Sequence, residues 1–156
     1  MPCFVNLFSR KPAVIQIRRS AIVRQTAQQM FDLVNDVESY PRRFSWCSGA
    51  EVLSREPGVL TARLDLRIAG LTQDFTTRNT LDPPHRITMR LAAGPFRELH
   101  GGWEFAALGD DGCKVSLALD FDYAGSFMAP VMRAGFEKLA DRMVDEFCRE
   151  AERVYA

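Results

Sequence analysis

The sequence predicts an α+β protein in which a curved antiparallel sheet wraps around one long C-terminal helix. Three observations lead there. Leu60, Ala62, Leu64, Leu66 and Ile68 alternate with Thr61, Arg63, Asp65 and Arg67, the period-2 pattern of a strand buried on one face. Similar runs follow one another through the middle of the chain with only short turns between them, which makes an antiparallel meander. Finally, Phe136, Leu139, Ala140, Met143, Val144, Phe147, Ala151 and Val154 recur at three- and four-residue steps, so they form one apolar stripe of a helix. Lys138, Asp141, Arg142, Asp145, Glu146, Arg149, Glu150 and Arg153 fill its other face.

In chain order, residues 1–12 read as a loose N-terminal tail and residues 13–156 as a single domain. The apolar patch at Phe4, Leu7 and Phe8 precedes Arg10 and Lys11, the reverse of a secretory signal. Residues 13–23, rich in Val and Ile, form the first strand, with Ile15, Ile17, Ala21 and Val23 on one face and Arg18 and Ser20 on the other. Thr26 followed by Gln29 is a capping box that starts a helix reaching about Asn35, its core side being Met30, Phe31 and Val34. Asp36 can cap a second short helix, which Pro41 ends or bends. Residues 40–49 form a mixed segment with aromatics and two arginines.

Strands follow at 50–55, 59–69, 72–81, 86–91, 96–108 and 113–123. They are separated by Pro57-Gly58, Gly70, Pro83-Pro84, Gly94-Pro95 and the Asp/Gly turn at 109–112. Residues 126–155 form the long helix, with Pro130 where a helix start tolerates proline.

The bulk numbers suit one ordinary domain: 156 residues, 47% hydrophobic, with 20 basic and 20 acidic side chains and a formal net charge of +0. That balance argues against a nucleic-acid protein dependent on global charge, and DNA is not an expected partner. Cys3, Cys47, Cys113 and Cys148 form no CxxC pair and only two histidines accompany them, so no metal site is expected and the thiols read as reduced, in a cytoplasmic protein. No apolar run is long enough to cross a bilayer.

Several stretches carry a resemblance. RSAIV, MFDLVNDVESYP, WCSG, AGLTQDFTTRNTLDPP and GPFRELHGGWEF occur in that order. They are similar to the coenzyme Q-binding and ribosome association toxin RatA family of START-like proteins, over roughly residues 19–149. The order of elements resembles the helix-grip (START/Bet v 1-like) fold of the superfamily that also holds polyketide cyclases and lipid carriers. The resemblance implies a hydrophobic cavity between sheet and long helix that binds a ubiquinone-like isoprenoid lipid, supporting respiratory quinone function. It also implies an alternative, a toxin that binds the large ribosomal subunit and blocks subunit association, and a third reading, a polyketide cyclase or dehydratase. One departure concerns the loop after Tyr40-Pro41. Members tend to carry an acidic-apolar pair and a proline there, where this chain has Arg42, Arg43, Phe44 and Ser45.

Phe75, Thr77, Asn79, Met89, Leu99, Trp103, Phe105, Phe121, Tyr123, Phe136, Leu139, Met143 and Phe147 are the expected cavity walls. Thr77 and Asn79 are polar on an inward face, so they bond a ligand head group or water, or else each other or a neighbouring loop. Phe127, Met128, Val131 and Met132 are read as a lid or a mouth in transient contact with the inner membrane, against the plainer reading of a buried helix start. Arg18, Arg19, Arg24, Arg42 and Arg43 are read as a contact surface for rRNA or lipid head groups, or as scattered solvent-facing cations. His85, His100 and Cys47 have no evident catalytic partner in sequence, so no catalytic residue and no cofactor beyond a bound lipid is expected.

Overall fold

A computed structural model describes residues 14–123 and 127–156. Seven strands form one antiparallel sheet: β1 (Ile15–Val23), β2 (Cys47–Glu56), β3 (Val59–Ile68), β4 (Leu71–Asp82), β5 (Arg86–Ala93), β6 (Glu98–Ala107) and β7 (Cys113–Asp122). Their lateral order is β1-β7-β6-β5-β4-β3-β2. β2 to β7 are thus a meander, and β1 joins it beside β7, from Ile15 opposite Phe121 to Val23 opposite Cys113. The two strands linked by the N-terminal helices therefore lie at opposite edges, and those helices span the concave side.

Helix α1 (Ala27–Asn35) begins with the expected box. Thr26 Oγ1 accepts from the Gln29 N–H at 3.1 Å and Gln29 Oε1 accepts from the Thr26 N–H at 2.9 Å. A 3₁₀ turn (Val37–Ser39) leads into the one-turn helix α2 (Tyr40–Arg43). Here the expectation for Pro41 is corrected. It neither ends nor bends the helix but sits in its first turn, where its missing N–H is no loss. The mixed segment also gives way to β2 earlier than alternation suggested, at Cys47.

Helix α3 (Pro130–Tyr155) has 26 residues, about 39 Å of rod. Phe136, Leu139, Ala140, Val144, Phe147 and Ala151 are buried under it. Two positions depart from the expected stripe. Val154 is 37% exposed in the last turn. Glu150, expected on the polar face, is buried, because Arg43 Nη1 and the Arg153 guanidinium bond its carboxylate at 3.0 and 3.1 Å. A second tie joins the helix to the sheet edge, where Arg19 Nε donates to Asp141 at 2.7 Å.

Two glycines set the curvature under the helix. A Cβ on Gly101, in mid-β6, would lie 2.0 Å from the Ala118 carbonyl oxygen, so only glycine lets β6 and β7 approach so closely. A Cβ on Gly135 would lie 2.0 Å from Ile68 Cγ2, which fixes how tightly the start of α3 seats on the end of β3.

Candidate functional site

Between those seats the helix does not fill the trough. A cavity of about 100 Å³ lies under α3. Its floor is Ala62, Leu64 and Leu66 of β3, Phe75, Thr77 and Asn79 of β4, Ile87 and Met89 of β5, Leu99 and Trp103 of β6, and Leu117 and Leu119 of β7. Its roof is Phe136, Leu139, Ala140, Met143 and Phe147 of α3. Val34, Asn35, Val37, Tyr40 and Trp46 close it on the helical side. The polarity of β4 has a plain origin: with Leu60 opposite Asn79 and Ala62 opposite Thr77, both side chains share the concave face with Phe75.

Of the expected wall residues, Phe75, Thr77, Asn79, Met89, Leu99, Trp103, Phe136, Leu139, Met143 and Phe147 line this cavity. Phe105, Phe121 and Tyr123 do not, though all three are buried. Phe105 is capped edge-on by Phe31 of α1, with ring centroids 6.0 Å apart. Phe121 sits behind Phe136, at 5.0 Å. Tyr123 turns away and donates its hydroxyl to the Arg133 carbonyl at 2.9 Å.

The walls are carbon except at a few atoms. Trp46 and Asn79 are each 7% exposed, yet the Trp46 indole N–H and Asn79 Oδ1 are buried without a hydrogen-bond partner among the described residues. Asn35 Oδ1 shares that condition. Tyr40 is different. Its hydroxyl donates to the Val34 carbonyl, and burial first, then nearby Cys47 and Asp36, pushes its pKa far above the ordinary phenol value. It is the one titratable side chain of the lining, so the cavity holds no pair of groups for acid–base work among the described residues.

Trp46, Tyr40 and Asn35 were not legible as site residues. They lie in or beside the irregular segment between α1 and β2, where no periodicity assigns a face. The only signal was three aromatics, Tyr40, Phe44 and Trp46, close together; in the structure they pack on one another and, through Tyr40 and Phe44, on Phe147.

The lid residues split. Phe127 is fully exposed and Val131 is 51% exposed, whereas Met128 and Met132 are buried. Their neighbours Gly125 and Ser126 lie outside the described residues, as do the 1–12 tail and Cys3.

The five arginines do not gather into one patch. Arg18 meets Asp120 at 2.7 Å on the convex face, Arg19 ties to Asp141, and Arg43 turns inward to Glu150. Arg24 and Arg42 are exposed and form no ion pair among the described residues.

His100 faces Asp120 at 3.5 Å on the convex side and His85 is exposed in a turn, both outside the cavity. Cys47 donates its thiol to the Gly49 carbonyl at 3.2 Å, and burial pushes its pKa up to about 11, so it is protonated and unreactive at neutral pH. No cluster of three metal-ligating side chains occurs, and no helix is long and apolar enough to cross a membrane, among the described residues.

Comparison with known proteins agrees with this architecture. Residues 23–148 match the family described as polyketide cyclase / dehydrase and lipid transport. The chain is 45% identical over 139 residues to the ribosome association toxin RatA of Pseudomonas aeruginosa, covering 89% of this chain and 96% of that one. It is 38% identical over 156 residues to RatA of Escherichia coli K12, covering 100% and 99%. A mitochondrial coenzyme Q-binding protein COQ10 homolog B of Xenopus laevis is more distant, 24% identical over 90% of this chain and 59% of its own. The Zhui aromatase/cyclase of Streptomyces shares the fold at a TM-score of 0.79 and 22% identity, covering 92% of this chain and 97% of that one. With a helix gripped by a curved sheet and relatives this similar over nearly their whole length, the chain belongs to the polyketide cyclase/dehydrase and lipid transport family of START-like proteins, in the branch of the ribosome association toxin RatA.

Proposed function

We propose that the chain binds a quinone-like isoprenoid lipid in the cavity under α3 and acts in the cytoplasm as its carrier, meeting the inner membrane transiently. The supporting observation is a carbon-walled space whose lining residues include Trp46 and Asn79, each with a buried polar atom that has no protein partner among the described residues. Desolvation drives binding, at about 25 cal/mol for each Å² of the ligand's apolar surface removed from water. Exposed Phe127 and Val131 at the start of α3 are the membrane-facing mouth in this reading. The test is native mass spectrometry of protein purified without detergent, followed by titration with a short-chain quinone. A co-purifying quinone or one-to-one uptake is expected. A clean protein that ignores the added quinone contradicts the reading.

The likeness to RatA favours a second reading, contact with the large ribosomal subunit that hinders subunit association. The convex face supplies a suitable surface. Arg78, Arg90 and His100 stand opposite one another on β4, β5 and β6, and all three are exposed. Arg78 also lies 3.9 Å from Glu56, but the Arg78 and Arg90 guanidiniums opposite one another repel, and a phosphate backbone relieves that repulsion. Co-sedimentation with large subunits is expected, and Arg78→Glu with Arg90→Glu should abolish it while quinone uptake persists.

A further inference from the structure

The cavity is the wrong size and the wrong chemistry for a lipid tail. At about 100 Å³ it is smaller than the roughly 150 Å³ apolar cavity known to take benzene, and far below the roughly 300–1,000 Å³ of pockets that swallow whole ligands. One six-membered ring matches its scale after slight loosening; several isoprene units do not. A tail would also leave Trp46 Nε1 and Asn79 Oδ1 unsatisfied, since hydrocarbon neither donates nor accepts. Resting on the ligand-binding reading above, we infer that the cavity receives the oxygenated ring of the ligand and not its tail, with Trp46 and Asn79 as the residues that select it.

The roles differ by chemistry. An indole N–H only donates, so Trp46 requires an acceptor oxygen on the ring. The unpaired atom of Asn79 is its amide oxygen, which only accepts, so it requires a hydroxyl on the ring. The site therefore takes a hydroquinone, which accepts from Trp46 at one oxygen and donates to Asn79 from the other, and rejects a bare aromatic ring of the same shape. The two side chains enter from separate elements, the turn before β2 and the later part of β4, so a ligand with a single oxygen satisfies only one of them. Phe75, Met89, Phe136 and Leu139 supply apolar walls for the ring.

Calorimetric titration of the full chain tests this with two probes: a 1,4-hydroquinone bearing a short alkyl tail, kept reduced, and an alkylbenzene with the same tail. The native protein should prefer the hydroquinone. Asn79→Leu and Trp46→Phe should each weaken hydroquinone binding by about five- to tenfold and leave the alkylbenzene within about twofold. Equal binding of both probes by the native protein, or equal weakening of both in the variants, overturns the inference: buried water alone then satisfies these atoms. If neither probe binds the native protein, the ligand-binding reading itself falls and takes the inference with it. Should Trp46→Phe fail to fold, Asn79→Leu, close in shape to the original, decides the matter alone.

Discussion

Asn79 sits 7% exposed in the middle of a sheet with its carbonyl oxygen unpartnered, and such a group costs the fold about 1–3 kcal/mol. A fold built only for stability would place leucine there. The ligand-free Asn79→Leu variant should therefore be more stable than the native protein by about 1 kcal/mol, a rise of about 2–4 °C in Tm by calorimetry. A fall in Tm would mean that the amide is satisfied in the ligand-free protein and has no need of a guest. This residue was legible from the sequence, because strict alternation in β4 puts it on the face of Phe75. Trp46 was not, since its neighbours Arg43, Phe44 and Ser45 follow no period that would assign it a side.

Among the elements, α3 is the one whose attachment decides access to the cavity. Beyond Phe147 its hold on the rest of the protein includes an ion cluster in which Glu150 accepts from Arg153 and from Arg43 of α2. The Arg153 guanidinium chiefly, and Arg43 in addition, hold the Glu150 carboxyl below its usual range against the opposing effect of burial. A depressed carboxyl pKa means that the ionised form is bound better in the folded state. Its contribution is present above about pH 4.5 and is lost as pH falls through the lowered folded value. Removing one partner of a buried pair costs about 3–5 kcal/mol when the other charge is stranded. Arg153 remains here, so Arg43→Met should cost about 2 kcal/mol at neutral pH, with the difference from the native protein shrinking below about pH 4.5. A urea-melt series across pH reads it, and a pH-independent difference would show that Arg43 acts through packing alone. This also explains why Glu150 and Arg43 defied the sequence: helical periodicity assigns faces but says nothing of a charged partner 107 residues away.

At the scale of the whole molecule, the meander of β2 to β7, the capping box and the long amphipathic rod were readable from alternation, turn residues and helical spacing, whereas the place of β1 beside β7 was not. Those patterns follow from local geometry, which β3 obeys residue by residue, whereas the register shifts in β2 at Cys47/Gly49 and Val52/Ser54 break it. The size of the remaining space was not readable, because it depends on how closely α3 approaches β3 at Gly135 and how sharply β6 bends at Gly101. Nor could spacing separate wall from backing: Phe105, Phe121 and Trp103 share one sequence signature, and only Trp103 reaches the cavity. Ligand binding as a whole depends on the rod resting over unfilled space. Ala140, 2% exposed and part of the cavity roof, allows a direct test by Ala140→Leu, read as thermal stability alongside quinone affinity. If the space is there, the added carbons enter it, stability rises by about 0.5–2 kcal/mol and quinone uptake is lost. If the trough is already packed, the same substitution overfills it, stability falls by about 1–3 kcal/mol, and the account is contradicted.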